Sequence, residues 1–147
     1  MELSERNAKI LMLDIHQDIE EYANATVEQI LDNKEFDFLP YPPNGGLTEN
    51  EICALKKLEN NPDLKSGLRK IIADNTAGVL FNLFNLIDGT GHPKNDDKNE
   101  WNDLKLVDED WNENEEVVDD WLHDKFFASY WDWKDKRTET EWKLDNI

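Results

Sequence analysis

Residues 62–88 read PDLKSGLRKIIADNTAGVLFNLFNLID, and this stretch decides the fold class. Leucine, isoleucine and valine recur in it at spacings of three and four, which is the period of an α-helix. Pro62 suits the first helical position, because the N–H that proline lacks has no helical partner there. From Val79 to Ile87 the segment is apolar nearly all round. We therefore predict a long helix that ends at Gly89 and is the central, most buried element.

Two further helices are expected before this one. Apolar residues at helical spacing predict a helix from about Ser4 to Asn33, with Ser4 as its N-cap. Three prolines and two glycines exclude a helix from 34–46. Thr48 and Glu51 then have the spacing of a capping box, in which each side chain accepts a backbone N–H at the helix start. The face predicted to be buried on the first helix comprises Leu11, Ile15, Ile19, Tyr22, Ala23, Val27 and Ile30.

The composition changes after Gly91. Residues 95–120 hold twelve acids and two lysines, and the stretch DEDWNENEEVVDD at 108–120 contains eight carboxylates. Within this region LKLV at 104–107 is a candidate short strand. A fourth helix is predicted from about Glu113 to Lys134, where the early acids would suit the positive end of the helix dipole.

Together these segments predict a mainly α fold. We expect a single-domain helical bundle of about four helices, with a long acidic loop region and one or two short strands. The predicted parts of the domain 1–147 are a helical core at 1–91, an acidic loop region at 92–114, a tryptophan-rich helix at 115–137 and a loosely ordered tail at 138–147.

The charge balance restricts the classes of partner. The net charge is −18, from 34 acids and 16 bases, so phosphate backbones and anionic membranes would be repelled. No apolar run is long enough for a membrane span, and the first residues have no cleavable apolar run. Cys53 is the single cysteine and cannot form an intramolecular disulfide. We expect a cytoplasmic protein with a basic protein partner, no cofactor, and no direct contact with nucleic acid or membrane.

Two patterns suggest a metal ion. Counted from Asp108 to Asp119, oxygen ligands fall where a calcium loop needs them, but Glu113 replaces the glycine of its sharp turn. The order His92, His123-Asp124 and Asp135 is that of a metal-dependent phosphohydrolase of the HD type, although such an order is a weak signal. Both are kept as alternatives. No residue is predicted to be catalytic and none to be a metal ligand.

The helix at 62–88 also carries a polar stripe at helical spacing. Its members are Asn75, Gly78, Asn82, Asn85 and Gly89. We interpret the stripe as the solvent-facing edge of the helix, and a groove lined by amides is the functional alternative.

All six tryptophans follow residue 100, and several lie among the acids. Tryptophan is enriched at binding hot spots, and carboxylates attract a basic partner over distance. We expect Trp121 and Trp133 to complete the core and Trp111 to be exposed. The predicted partner-binding residues are Trp101, Asp108, Asp110, Trp111, Glu113, Glu115, Glu116, Asp119 and Asp120.

These patterns favour a non-enzymatic acidic interaction protein. Small size, strong acidity and the lack of a recognisable catalytic motif are typical of bacterial neutralising proteins, such as toxin-immunity proteins, antitoxins and nucleic-acid mimics. This expectation rests on the profile of the class and not on a motif. The alternatives are the HD-like hydrolase and a weak calcium-binding module at 108–119.

Overall fold

The computed structural model describes residues 2–43, 45–96, 100–114, 116–138 and 143–145. Helices dominate it, so the prediction of a mainly α fold is confirmed. The helices are α1 (Glu5–Glu28), α2 (Glu49–Leu55), α3 (Pro62–Ile87), α4 (Leu122–Ala128) and α5 (Tyr130–Lys136).

The ends of the first three helices agree with the sequence patterns. The Ser4 hydroxyl accepts the Asn7 N–H at 3.3 Å, and a π-helical turn at Gln29–Asn33 follows α1. At α2 the capping box forms, since the Thr48 N–H donates to Glu51 Oε2 at 2.7 Å and the Thr48 hydroxyl accepts the Glu51 N–H at 3.3 Å. Helix α3 begins at Pro62, as predicted.

The chain divides into two compact units, so its organisation as one domain stays a prediction. The first unit comprises Met1–Asp18 and Asn75–Glu139, and the second comprises Ile19–Asp74 and Thr140–Ile147. The core of the first unit includes the fully buried side chains of Met12, Leu122 and Phe126. Burying a side chain of this size contributes about 1.5–3 kcal/mol.

The core of the second unit lies on the later part of α1. The buried side chains there and in the segments that follow are Ile19, Ala23, Val27, Leu31, Phe36 and Ala73. Polar contacts join the end of the π-helical turn to the start of α3, because Asp32 accepts hydrogen bonds from Asn60 at 2.6 Å and from Lys65 at 2.7 Å. The Lys65 contact, then that of Asn60, holds the pKa of Asp32 below its usual value.

The buried face of α1 differs from the predicted one. Ile19, Ala23 and Val27 are buried as expected, but Tyr22 is exposed. Ala8, Met12 and the polar His16 belong to the buried set instead. When aliphatic residues are spread around a helix, several of its faces are apolar enough to be buried, and the tertiary contacts decide which one is.

The prediction that α3 is the most buried element is wrong. Val79 is 70% exposed, Ile71 and Leu83 are also exposed, and the buried side chains on this helix are Ala73 and Phe84. The period of the apolar residues located the helix correctly, but it did not reveal how little of its surface is covered. The polar stripe is the solvent-facing edge that we predicted, because Asn75, Gly78, Asn82 and Gly89 are exposed and Asn85 is half-buried.

The predicted fourth helix starts nine residues late, at Leu122, and is interrupted at Ser129. No helix starts at the predicted place because the chain at 116–118 pairs with the N-terminus. The Glu5 N–H donates to the Glu116 carbonyl at 3.0 Å, and the Val118 N–H donates to the Leu3 carbonyl at 2.9 Å. The described acids of this segment, Glu113, Glu116, Asp119 and Asp120, therefore do not lie in a helix.

The predicted short strand at 104–107 is reduced to one isolated bridge, in which Val107 pairs with Glu2. The described residues of the predicted acidic loop at 92–114 contain no helix, in agreement with the sequence. Most of the predicted loose tail at 138–147 lies outside the described residues. None of the described helices combines the length and the apolar character that crossing a membrane requires.

Candidate functional site: an acidic groove beside Trp121

A groove of about 370 Å³ lies in the first unit, where α3 ends and α4 begins. Its walls come from the end of α3 and the turn after it, from the segment at 103–105 and from the segment at 118–121 that precedes α4. We call it the acidic groove. The side chains that matter for its chemistry are Asp88, Asp103, Leu104, Asp119, Asp120 and Trp121.

The lining of the acidic groove is strongly negative. It contains four carboxylates and a single basic side chain, Lys105. Carboxylates that line one concave surface reinforce each other's potential, so the groove attracts cations and repels anions.

Asp88 is the most enclosed of these carboxylates. Its side chain has no exposed surface. Oδ2 accepts two hydrogen bonds from His123, one from the backbone N–H at 3.0 Å and one from Nδ1 at 2.7 Å. The other oxygen, Oδ1, is buried without a hydrogen-bond partner among the described residues. Asp88 thus stabilises the start of α4 with one oxygen and leaves the second oxygen unsatisfied.

Aromatic rings hold His123 in this position. The Phe81 ring meets the imidazole edge to face, with centroids 5.6 Å apart. The Trp121 ring lies against it at 6.0 Å and is 52% exposed. Our expectation that Trp121 belongs to the core is therefore wrong. Trp121 is the last residue of an extended segment and does not lie within the helix. Trp133 on α5 is 8% exposed, as predicted.

Gly89 lies where the turn after α3 meets the segment at 103–105. Its φ of +69° lies in the left-handed region that favours glycine, and it is the second residue after the end of α3. A Cβ at this position would lie 3.9 Å from the Asp103 carboxylate. The Asp103 carboxylate therefore lies close to the backbone of Gly89, the residue that follows Asp88.

Of the described residues predicted to bind a partner, two belong to the lining of the acidic groove. Asp119 and Asp120 are exposed and line the acidic groove. Asp110, Glu113 and Glu116 are exposed, Trp101 and Trp111 are half-buried, and Glu115 lies outside the described residues. Trp111 is thus less exposed than expected.

Asp108 has a structural role at the start of α1. Its Oδ2 accepts the Ser4 N–H at 3.2 Å. Hydrogen bonds from the side chains of Ser4 and Asn7 lower the pKa of the Asp108 carboxyl, because they stabilise its charged form. This carboxylate is consequently committed to contacts within the protein.

The metal alternatives receive no geometric support. In the described parts of the chain, no group of three or more histidine, cysteine, aspartate and glutamate side chains is placed to hold a metal ion. His92 is exposed, while His123 is bound to Asp88 and lies 3.8 Å from Asp124. The calcium pattern includes Glu115, which lies outside the described residues.

Sequence reasoning missed Asp88, Asp103 and Trp121 as members of one site. Asp88 and Gly89 were visible only as a helix stop, and Asp103 was one of many acids. The available signal was that the apolar helix ends in Asp88-Gly89 shortly before the acidic segment begins.

Comparisons with known protein families, characterised proteins and solved structures found no match for this chain.

Proposed function

We propose that this protein is a non-enzymatic interaction protein that binds a basic protein partner, with the acidic groove at the centre of the contact surface. The observation that carries the proposal is the groove itself. Three exposed aspartates and the buried Asp88 line a concave surface beside a tryptophan that is 52% exposed.

The charge of the whole chain supports the same partner. A net charge of −18 attracts a basic protein from a distance and accelerates association by roughly 10- to 1,000-fold at low salt. Glu109, Asp110, Glu113 and Glu116 are also exposed and add negative charge in the chain segment before Val118. They contribute to attraction over distance, and the groove supplies the close contact.

Apolar side chains at the groove supply contact area in addition to charge. Trp121 and Leu104, which is 47% exposed, both line it. Tryptophan is among the residues that contribute most to binding energy when a partner covers it. An acidic surface with such an anchor suits a specific protein contact better than it suits unspecific binding of small cations.

The class of protein that fits best is a bacterial neutralising protein, of the toxin-immunity, antitoxin or nucleic-acid-mimic type. In this class, carboxylates occupy the basic cleft that a toxin or nucleic-acid-binding protein uses for phosphates. The assignment to the class is an analogy based on charge and size.

The test measures which proteins the immobilised chain captures and how fast they associate. The captured proteins are expected to be basic, and their association rate is expected to fall as the salt concentration rises. Capture of neutral or acidic proteins alone, or an association rate that does not respond to salt, would overturn the proposal.

A pair of matched variants locates the surface. The triple variant Asp103→Asn, Asp119→Asn, Asp120→Asn removes three charges at the groove. The control Asp37→Asn, Glu59→Gln, Asp74→Asn removes three exposed charges in the second unit. We expect the groove variant to slow association and raise Kd much more than the control. Equal effects would show that only the net charge matters.

A further inference from the structure

We infer that the acidic groove binds the guanidinium group of one arginine side chain of the basic partner. This inference rests on the proposed function and adds the chemical group that the groove recognises. It follows from three features of the site: its size, the state of Asp88, and the apolar side chains next to the carboxylates.

The groove has enough room for a single long side chain. Its volume of about 370 Å³ is at the lower end of the range of about 300–1,000 Å³ that is typical of pockets for small ligands. A guanidinium group is planar and carries five N–H donors, so it can bind several carboxylate oxygens at once. Asp103, Asp119 and Asp120 supply such oxygens from two different segments of the chain.

Asp88 gives the groove a feature that a solvated acidic cluster lacks. Its side chain is fully buried, it belongs to the lining, and Oδ1 has no hydrogen-bond donor among the described residues. A buried acceptor without a donor destabilises the protein, and an incoming N–H relieves that cost. Because the carboxylate has no exposed surface, a donor reaches Oδ1 only when the lining of the groove rearranges around it.

The apolar side chains distinguish arginine from lysine. The half-exposed ring of Trp121 can stack on a guanidinium plane, and Leu104 can contact the aliphatic part of the side chain. An ammonium group is a compact, strongly hydrated charge that gains less from stacking and cannot form paired hydrogen bonds with one carboxylate. Lys105 is the one basic side chain of the lining, so the four aspartates leave the groove with an excess of negative charge.

The experiment follows the backbone amides and tryptophan indoles of the full chain by NMR during titration. The probes are blocked arginine, blocked lysine and a short peptide with one central arginine. Blocked arginine is expected to shift the Gly89 amide and the Trp121 indole, with an affinity about five-fold or more above that of blocked lysine. The peptide is expected to bind more tightly than the blocked residue, because a protein partner adds contacts around the groove.

Variants assign the effect to the groove. Asp88→Asn is expected to reduce the preference for arginine over lysine, and Asp74→Asn, in the second unit, is its control. Since Asp88→Asn also alters the contact with His123, Trp121→Leu provides a second variant at a half-exposed position. Its control is Trp131→Leu, which removes an exposed tryptophan outside the groove.

Three results would overturn the inference. These are equal affinity for the arginine and lysine probes, shifts spread over the acids at 109–116 in place of the groove, and a peptide that binds no better than blocked arginine. The last result would assign the groove to small guanidinium compounds. If these results appear while the triple groove variant still slows association with captured basic proteins, the proposed function stands and only the guanidinium assignment fails.

Discussion

His123 and Asp88 form a double contact in which both the backbone N–H and Nδ1 of the histidine reach the same carboxylate oxygen, at 3.0 Å and 2.7 Å. The two residues are 35 positions apart, and Asp88 follows the last residue of α3 while His123 lies in the first turn of α4. A carboxylate from one helix end thereby caps the start of another. This contact lies at the start of α4, directly after Trp121, which lines the acidic groove.

Replacing Asp88 by alanine should destabilise the protein by about 1–3 kcal/mol. The substitution leaves the His123 N–H and ring nitrogen without their acceptor in a partly buried place. Urea unfolding monitored by circular dichroism measures the change. The control Asp74→Ala, at an exposed position, should stay within about 0.5 kcal/mol of the wild type. Equal stabilities for the two variants would contradict a capping role for Asp88.

Acidification should weaken the protein through His16. Burial lowers the pKa of this histidine below 6.5, although a hydrogen bond to the Phe126 carbonyl opposes the shift. Its Nε2 lies 2.9 Å from that carbonyl, and because a carbonyl only accepts, Nε2 carries the hydrogen. The unfolded chain binds the proton more readily than the folded one. Stability is therefore complete above the unfolded value and falls as the pH drops through it.

The measurement compares the free energy of unfolding at neutral and mildly acidic pH with that of His16→Gln. Glutamine keeps an N–H donor but does not titrate in this range. The wild type should lose more stability than the variant on acidification. A variant that loses as much would show that other groups cause the dependence.

Asp108→Asn should lower stability at neutral pH and have less effect in acid. Hydrogen bonds from Ser4 and Asn7 lower the pKa of this carboxyl below 3.8, so its contribution is complete above that value and is lost as the pH falls through the lowered one. Thermal unfolding at neutral pH and near pH 3 measures the effect. Glu109→Gln removes the neighbouring exposed charge and should leave Tm nearly unchanged. A Tm difference that persists at the acidic pH would contradict this account.

The tryptophans of α5 should differ sharply in their effect on stability. Trp133 is buried, so Trp133→Ala should cost about 3–5 kcal/mol. Trp131 is 62% exposed and lies under the Lys134 ammonium group, so Trp131→Ala should cost about 1 kcal/mol or less. Denaturant unfolding of the two variants provides the comparison, and similar costs would contradict the described packing of α5.

Local signals in the sequence predicted the helices of the first half well. A capping box, a proline at the first helical position and a glycine stop each act within one or two turns, so Thr48, Pro62 and Gly89 could be interpreted without tertiary information. The same reasoning failed at Glu113. The acids that follow Glu113 are suitable for a helix start, but the backbone at 116–118 pairs with the N-terminus. The helix therefore begins later, at Leu122.

Burial was harder to predict than helix position. The apolar period of α3 indicated a buried helix, yet Val79 and Leu83 face solvent, and Trp121 is exposed where a core residue was expected. Burial depends on which surfaces other segments cover, and this information lies far away in the chain.

The sequence by itself determined that this protein is mainly helical, strongly acidic and suited to a positively charged partner, because composition, helical period and end signals are local properties. Only the tertiary structure decided where that acidity becomes a site. It joined Asp88 at the end of one helix with Asp103 and with Asp119 to Trp121, which are separated along the chain by 15 residues or more. The physical reason is that a groove requires convergence of distant segments, whereas a run of acids alone remains a solvated surface.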